Sequence, residues 1–301
     1  MAHLKLLYYD QGAAEDKSAL RYLKSLLGDR EVTISLIYIT EELGDVENEK
    51  RRDLAKEQRN QQDRLKKDKA LQAAKEIFEP LMLNMEILTL EKEGDPVEKV
   101  QREIERGDYD FLSLAAFGRG AFAKDVLGAH AKPLVKNSKI PTLIHKGKLE
   151  ECEKVLIHVP NDKDRCLRFI RFMVDLLEGS RPSVTFLSII ENGHHKFEGY
   201  TSAEDRKLTE ALGDYDREEL KYLKIAQRIL EERDFEAEIR YRIGDLVTEL
   251  LNEAKEGRYD LMAFAPEKPG MLMNLWQGDE SFEIMRDIEI SALKFPTPKE
   301  E

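Results

Sequence analysis

"EGDPVEKVQREIERGDYDFLSLA", Glu93 to Ala115, returns 150 positions later as "IGDLVTELLNEAKEGRYDLMAFA", Ile243 to Ala265, with no gap. Gly94 meets Gly244, Asp95 meets Asp245, and Gly107 meets Gly257. Tyr109-Asp110 meets Tyr259-Asp260, and further on Gly120 meets Gly270 and Gly128 meets Gly278. The same offset sets "VTISLIYIT" from Val32 beside "PSVTFLSII" from Pro182. A shared offset across apolar runs, helical patterns and turns marks a duplicated domain, because one repeat is itself domain-sized. The halves divide at residues 1–148 and 149–301.

Each half alternates strand and helix signals. In the first, Leu4 onward reads as a buried strand. Ala14 to Leu27 reads as a helix with Leu20, Leu23 and Leu27 on one face and Gly28 past its end. Val32 to Ile39 is a second strand, a long helix lies between Asp45 and Glu79, and Met85 to Leu90 is a third strand. Asp95 caps the next helix, with Pro96 at its first position and Glu98 completing a capping box. Phe111 to Ala115 is the fourth strand, followed by a glycine loop, a helix to about Val135, and a fifth strand at Pro141 to His145. Such alternation with short right-handed crossovers predicts a doubly wound parallel sheet in each half, an α/β fold in tandem. Ligands of such sheets bind outside the carboxyl ends of the strands, where strand order reverses. That puts Asp10, Ile39-Thr40 and the loop after Ala115 around one site.

The 301 residues suffice for two cores. A net charge of −12 disfavours nucleic acid and anionic membranes, and no basic patch stands out because lysine and arginine are interspersed with acids. No run approaches the roughly 20 apolar residues of a membrane helix, and the N-terminus lacks the apolar stretch of a signal peptide. Two cysteines, Cys152 and Cys166, suit a reducing compartment. The expectation is a cytoplasmic protein whose partners are proteins, with no nucleic acid and no membrane.

These features together resemble the universal stress protein family in its tandem two-domain form. The resemblance rests on Asp10 after the first strand, on "GDPVEKV", and on "YDFLSLAAFGRG" running into "GAHAKPLVKNSKIPTLIH". It implies an adenine nucleotide alpha hydrolase-like fold in each half, the two packed as a pseudo-twofold intramolecular dimer, with a further homodimer in view. It also implies a loop of pattern G-x2-G-x9-G-[S/T] that holds ATP phosphates, and an aspartate against adenine. Ala115 stands at the first glycine, Gly118 and Gly128 fit the second and third, and Ala129 replaces the hydroxyl residue. The lost hydroxyl removes a phosphate hydrogen bond of about 1.5–3 kcal/mol. Arg119, Lys124 and His130 are placed to compensate, beside Gly120 in the same loop. ATP in the first half, another anionic adenine ligand there, and a purely structural turn all stand as readings of this loop.

The second copy, "APEKPGMLMNLWQGDES", has Lys268 for the middle glycine, and Asp279, Glu280 and Glu283 follow or stand near Gly278. Those carboxylates repel a triphosphate. Pro160-Asn161 is read as replacing the aspartate of the first strand. No nucleophile–base motif appears, so no catalytic residue is named and no enzyme is expected, although a weak ATPase in the first half stays open. His145, Cys152 and His158 match no zinc spacing, and no metal or resident cofactor is expected. The charged stretch from Glu47 reads as a solvated helix or a partner-binding arm. Leu212, Leu223, Ile225 and Ile229 read as the core face of its counterpart. The expected function is a stress-response binding or interaction protein with degenerate nucleotide loops; the alternative is an adenine-ligand-responsive switch sited in the first half.

Overall fold

The computed structural model describes residues 3–9, 17–40, 49–78, 85–115, 130–146, 149–160, 162–190, 218–266 and 288–296. The chain divides into two compact units, Met1–Lys24 with Asp29–Glu150, and Ser25–Gly28 with Glu151–Glu301. The first contains β1 (Leu4–Tyr9), β2 (Val32–Thr40), β3 (Met85–Glu93), β4 (Phe111–Ala115) and β5 (Thr142–His145). Between them lie α1 (Ser18–Leu27), α2 (Glu49–Phe78), α3 (Pro96–Arg106) and α4 (Ala131–Asn137). The second unit contains β6 (Lys154–His158), α5 (Lys163–Leu177), β7 (Ser183–Ile190), α6 (Glu218–Glu231), β8 (Ala237–Ile243), α7 (Leu246–Glu256), β9 (Leu261–Phe264) and β10 (Ser291–Lys294).

All pairings within each unit are parallel. The first sheet runs β3-β2-β1-β4-β5 and the second runs β8-β7-β6-β9-β10, which is the same order. The central strands read as apolar runs because both of their faces are covered: Leu6, Leu7, Ile34, Phe111, Leu112 and Leu114 are fully or nearly fully buried, as are Val155, Leu156, Phe186, Leu261 and Met262. Leu20, Leu23 and Leu27 of α1 are all buried, joined by Tyr22 and Leu26.

The repeated Gly-x-Tyr-Asp sequence has a structural explanation. It stands before β4 and before β9, at the amino ends of the sheets. Asp110 Oδ2 accepts from the Lys5 amide at 2.7 Å, and the Lys5 ammonium lies 4.9 Å from the Tyr109 ring centre. Asp260 Oδ2 accepts from the Glu153 and Lys154 amides at 2.9 Å, and Lys154 lies 4.7 Å from the Tyr259 ring centre. Each tyrosine hydroxyl donates to a helix glutamate, Tyr109 to Glu103 at 3.0 Å and Tyr259 to Glu253 at 2.7 Å. The glycine keeps the ring's place open: a β-carbon would come within 2.2 Å of the Tyr109 ring at Gly107 and within 2.0 Å of the Tyr259 ring at Gly257. This staple ties the first strand of each sheet to the helix and the strand that close it.

Local expectations are met in part. Asp95 caps α3 by accepting from the Glu98 amide at 2.8 Å, with Pro96 in the first turn. The capping box is not closed, however, because the Glu98 carboxylate pairs with Arg102 at 2.6 Å, an i,i+4 contact on the open face. β3 continues past Leu90 to Glu93, since β2 offers it a partner as far as Thr40. In α6 the buried row is Leu223, Ala226 and Leu230, while Ile225 is 42% exposed, which removes it from the core. Ile229 is half-buried, and Leu212 lies outside the described residues.

Candidate functional site

In a 3-2-1-4-5 sheet the order reverses between the first and fourth strands, so the crevice opens beyond the carboxyl ends of β1 and β4. Tyr9 ends β1 and Ala115, buried, ends β4. β2 runs on past the end of β1, since Tyr9 is opposite Ile37, and this carries the half-buried Ile39 toward the crevice. His130 immediately precedes α4. Its Nδ1 lies 3.1 Å from the Tyr9 hydroxyl, with the rings tilted at 6.3 Å between centres. The Tyr9 ring is 4% exposed and His130 is half-buried, so the pair spans the floor and the rim of the crevice. Of the residues marked from sequence, Ile39 and His130 stand at this end of the sheet. Asp10, Gly118, Arg119, Gly120, Lys124, Gly128 and Ala129 lie outside the described residues. Tyr9 was missed: as the last residue of an apolar strand it reads as core, and only the fold aims its hydroxyl at residue 130.

The second unit departs at the same place. Leu6 of β1 pairs with Phe111, and Val155 of β6 pairs with Leu261, so the counterparts of β1 residues lie 149 rather than 150 positions on. His158 therefore takes the place of Tyr9, and Val159 follows it where Asp10 follows Tyr9. This corrects the assignment of Pro160-Asn161 to the aspartate's position. Val159 is buried and apolar, with no carboxylate to offer. Burial lowers the His158 imidazole to a pKa of about 4, so it is neutral at physiological pH. His158, Phe264 and Lys294 stand at one level across β6, β9 and β10, and Lys294 is 7% exposed. Arg165, in the first turn of α5, is 1% exposed, and its Nη2 donates to the Pro296 carbonyl at 3.2 Å. Phe295 packs against Phe169 and Phe172 with tilted rings, at 5.2 and 5.7 Å between centres. The carboxyl end of the second sheet is thus lined by buried basic and aromatic side chains.

Other candidates resolve into structure. His145 is buried against Tyr22 at 4.8 Å between ring centres. Cys152 and Cys166 are buried free thiols, and burial, with Asp162 adding to it, pushes Cys166 up to about 12. That thiol is protonated and unreactive at neutral pH. Among the described residues no three His, Cys, Asp or Glu side chains gather to hold a metal. No described helix is long and apolar enough to cross a membrane.

A doubly wound α/β sheet with its crevice at the first-to-fourth strand reversal, present twice, defines the class: an α/β protein with two doubly wound parallel sheets of the same strand order. Residues 5–146, the first repeat, match the model of the universal stress protein family. No curated protein matches the chain. The chain is similar in fold to a universal stress protein from Archaeoglobus fulgidus DSM 4304, with 17% identity, a TM-score of 0.63, and 97% of each chain covered. It is also similar to a putative universal stress protein from Pseudomonas aeruginosa UCBPP-PA14, with 13% identity and a TM-score of 0.55, covering 97% of this chain and 92% of the other. The likeness of fold therefore extends through the second repeat.

Proposed function

We propose that the chain is a cytoplasmic stress-response protein that acts by binding rather than by turnover, and that its two crevices have separate fates. The observation that carries this reading is the divergence at the carboxyl ends. In the second repeat, buried His158 and Lys294 stand at the carboxyl ends of β6 and β10, with buried Arg165 beside the chain that follows β10. The sequence between β9 and β10 adds the carboxylates of Asp279, Glu280, Glu283 and Asp287, whose charge disfavours an anionic ligand. The first repeat has Tyr9 and Ile144 at the corresponding positions and keeps the Gly118 and Gly128 spacing without its hydroxyl residue.

A second reading, an adenine-ligand switch in the first repeat, is favoured by the Tyr9–His130 contact. A phenol held against the ring fixes the imidazole at the rim of the crevice, where it is placed to meet an anion. Denaturing the purified protein and weighing the released small molecules separates the two. Protein free of nucleotide that shows no rise in melting temperature with millimolar-range ATP and magnesium supports a partner-binding role alone. A stoichiometric nucleotide, or a rise that Gly128→Asp abolishes, establishes the switch, because a ligand that binds only the folded state must raise its stability.

A further inference from the structure

The helix α2 is 30 residues long, which is about 45 Å at 1.5 Å per residue. Among its described side chains it buries those of its last turns against β2 and β3: Ala70, Ala73, Ala74, Ile77 and Phe78. Before Ala70, the described side chains of Glu57, Gln58, Gln61, Gln62, Arg64, Leu65, Asp68 and Lys69 are exposed, Leu65 at 61%. Lys17 pairs with Glu76 and tethers the packed end. In sequence the stretch before Ala70 carries only Leu54 and Leu65 as large apolar residues, too few for a wide apolar face.

Its charge runs against that of the chain. Lys50 to Lys69 holds nine lysines and arginines against four acids. Residues 1–148 hold 26 Lys or Arg against 26 Asp or Glu, while residues 149–301 hold 22 against 34. The whole net charge of −12 therefore belongs to the second half. The arm is a basic segment in a neutral unit, although its lysines and arginines are interspersed with acids along the sequence.

The second half offers a matching surface. The turn from α6 into β8 carries Glu231, Glu232, Asp234, Glu236 and Glu238, all exposed. It is a fixed turn: Phe235 is buried, its amide bonds to the Leu230 carbonyl at 3.1 Å, and Asp234 sits at φ 61° with its amide on Glu231 at 3.0 Å. Arg228 and Arg240 neutralise Glu232 and Glu238 at 2.9 Å each, and Arg233 reaches Glu178 at 3.4 Å. Glu231, Asp234 and Glu236 make no ion pair among the described residues.

We propose that residues 49–69 form a docking arm that engages the acidic turn 231–238 of a second copy of this chain. Copies of a strongly acidic chain repel one another except where a basic segment meets acid, so the charge distribution selects a head-to-tail contact. Such a contact is heterologous and closes into rings or extends into chains. The inference is independent of any ligand in the first repeat.

The test is sedimentation velocity of the full chain over a concentration series, at about 0.02 M and about 0.5 M salt, where screening differs severalfold in range. Association at low salt that reverts to monomer at high salt is expected. The triple variant Arg52→Glu, Lys56→Glu, Arg59→Glu, ten or more residues from the packed turns, is expected to weaken association by at least about tenfold. The double variant Glu231→Lys, Glu236→Lys is expected to do the same. An equimolar mixture of the two variants is expected to associate again, because each supplies the charge the other now lacks. Glutamine versions of the arm variant, with helicity followed by circular dichroism, separate loss of charge from loss of helix. Monomer at both salts, association that neither variant changes, or a mixture that fails to recover would each overturn the proposal. So would arm-dependent retardation of a DNA duplex without self-association, since it would assign the arm to nucleic acid.

Discussion

The tyrosine–glutamate staple is common to both repeats, but what surrounds it is not. In the first, Glu103 meets Lys92 at 3.3 Å, and both side chains keep some exposure, at 13% and 32%. In the second, Glu253 is 3% exposed and takes Arg242 Nε at 2.6 Å and Arg240 Nη1 at 3.1 Å. Arg242, itself 6% exposed, extends to Glu249 at 3.3 Å and Glu256 at 2.5 Å. The positions that pair with Arg240, Glu249 and Glu256 in the first repeat are Leu90, Lys99 and Arg106, none of which can rebuild that network. Duplication preserved the residues that join strand to helix, and the two copies then settled their edge strands by different means, an outlying pair in one and a buried ion network in the other.

The largest effect expected from this difference is at Glu253. Burial alone would raise its carboxyl, but the Tyr259 hydroxyl and Arg242 outweigh burial and hold it below the usual range. Glu253→Gln leaves Arg242 buried beside a neutral group, and breaking a buried pair costs about 3–5 kcal/mol. Glu103→Gln removes a partly exposed pair and is expected to cost about 1 kcal/mol or less. Hydrogen exchange resolved by repeat reads both; equal losses would break the comparison. A carboxyl with a lowered folded pKa adds stability that is present above its unfolded pKa and is lost as pH falls through the folded value. The second repeat should therefore loosen first in acid.

A second acid response comes from His158, where the first repeat has Tyr9. Its folded pKa of about 4 lies below the ordinary 6.5. Between those values the unfolded chain binds a proton that the folded chain excludes, so stability falls as pH drops from about 6.5 toward 4, by about 3 kcal/mol in full. His158→Tyr, which installs the first repeat's residue, and His158→Asn are both expected to flatten the unfolding midpoint of the second repeat across that window. A slope that persists in both variants would mean that another group titrates there.

The two-unit architecture was legible because duplication repeats a signal that a single copy would leave weak. Asp95 and Asp245 stand before helix patterns in register, and the Gly-x-Tyr-Asp sequence recurs at a fixed offset. What that sequence does was not legible, because the partners of Asp110 and Asp260 are amides more than 100 positions away. Tyr9 was hidden for the same reason, since His130 is 121 residues distant. The one-residue shift that puts Val159 after His158 shows only in strand register, as a gap in a short apolar run leaves no mark of its own. Ile225 misled because an apolar residue on a two-sided helix need not be on the face that the sheet selects.

Gly257→Ala and Gly107→Ala come next in size. Each new methyl meets its tyrosine ring, at 2.0 and 2.2 Å, and overpacking of this order costs about 1–3 kcal/mol. The second repeat is expected to lose more, because displacing Tyr259 also disturbs Glu253 and through it Arg242, whereas displacing Tyr109 disturbs a half-exposed pair. Urea unfolding of each variant, followed by repeat-resolved exchange, measures the difference. Pairing each alanine with Tyr→Phe in a double-mutant cycle then shows whether the loss passes through the hydroxyl.

The smallest expected difference is at the helix caps, where sequence makes the repeats look most alike. Asp95 accepts one bond, from the Glu98 amide at 2.8 Å. Asp245 accepts two on the same oxygen, from the Thr248 amide at 3.0 Å and the Thr248 hydroxyl at 2.8 Å. Those bonds, the backbone one foremost, lower the Asp245 carboxyl. Replacing a capping aspartate by alanine costs about 0.5–2 kcal/mol, so Asp95→Ala should fall low in that range and Asp245→Ala higher. Thr248→Val keeps the amide bond and removes only the hydroxyl. If the second bond accounts for the excess, Thr248→Val with Asp245→Ala should be no worse than Asp245→Ala alone, and Thr248→Val by itself should bring the second cap down to the level of the first. An excess that survives Thr248→Val would instead place it in Leu246, which is buried in the first turn where α3 carries Pro96.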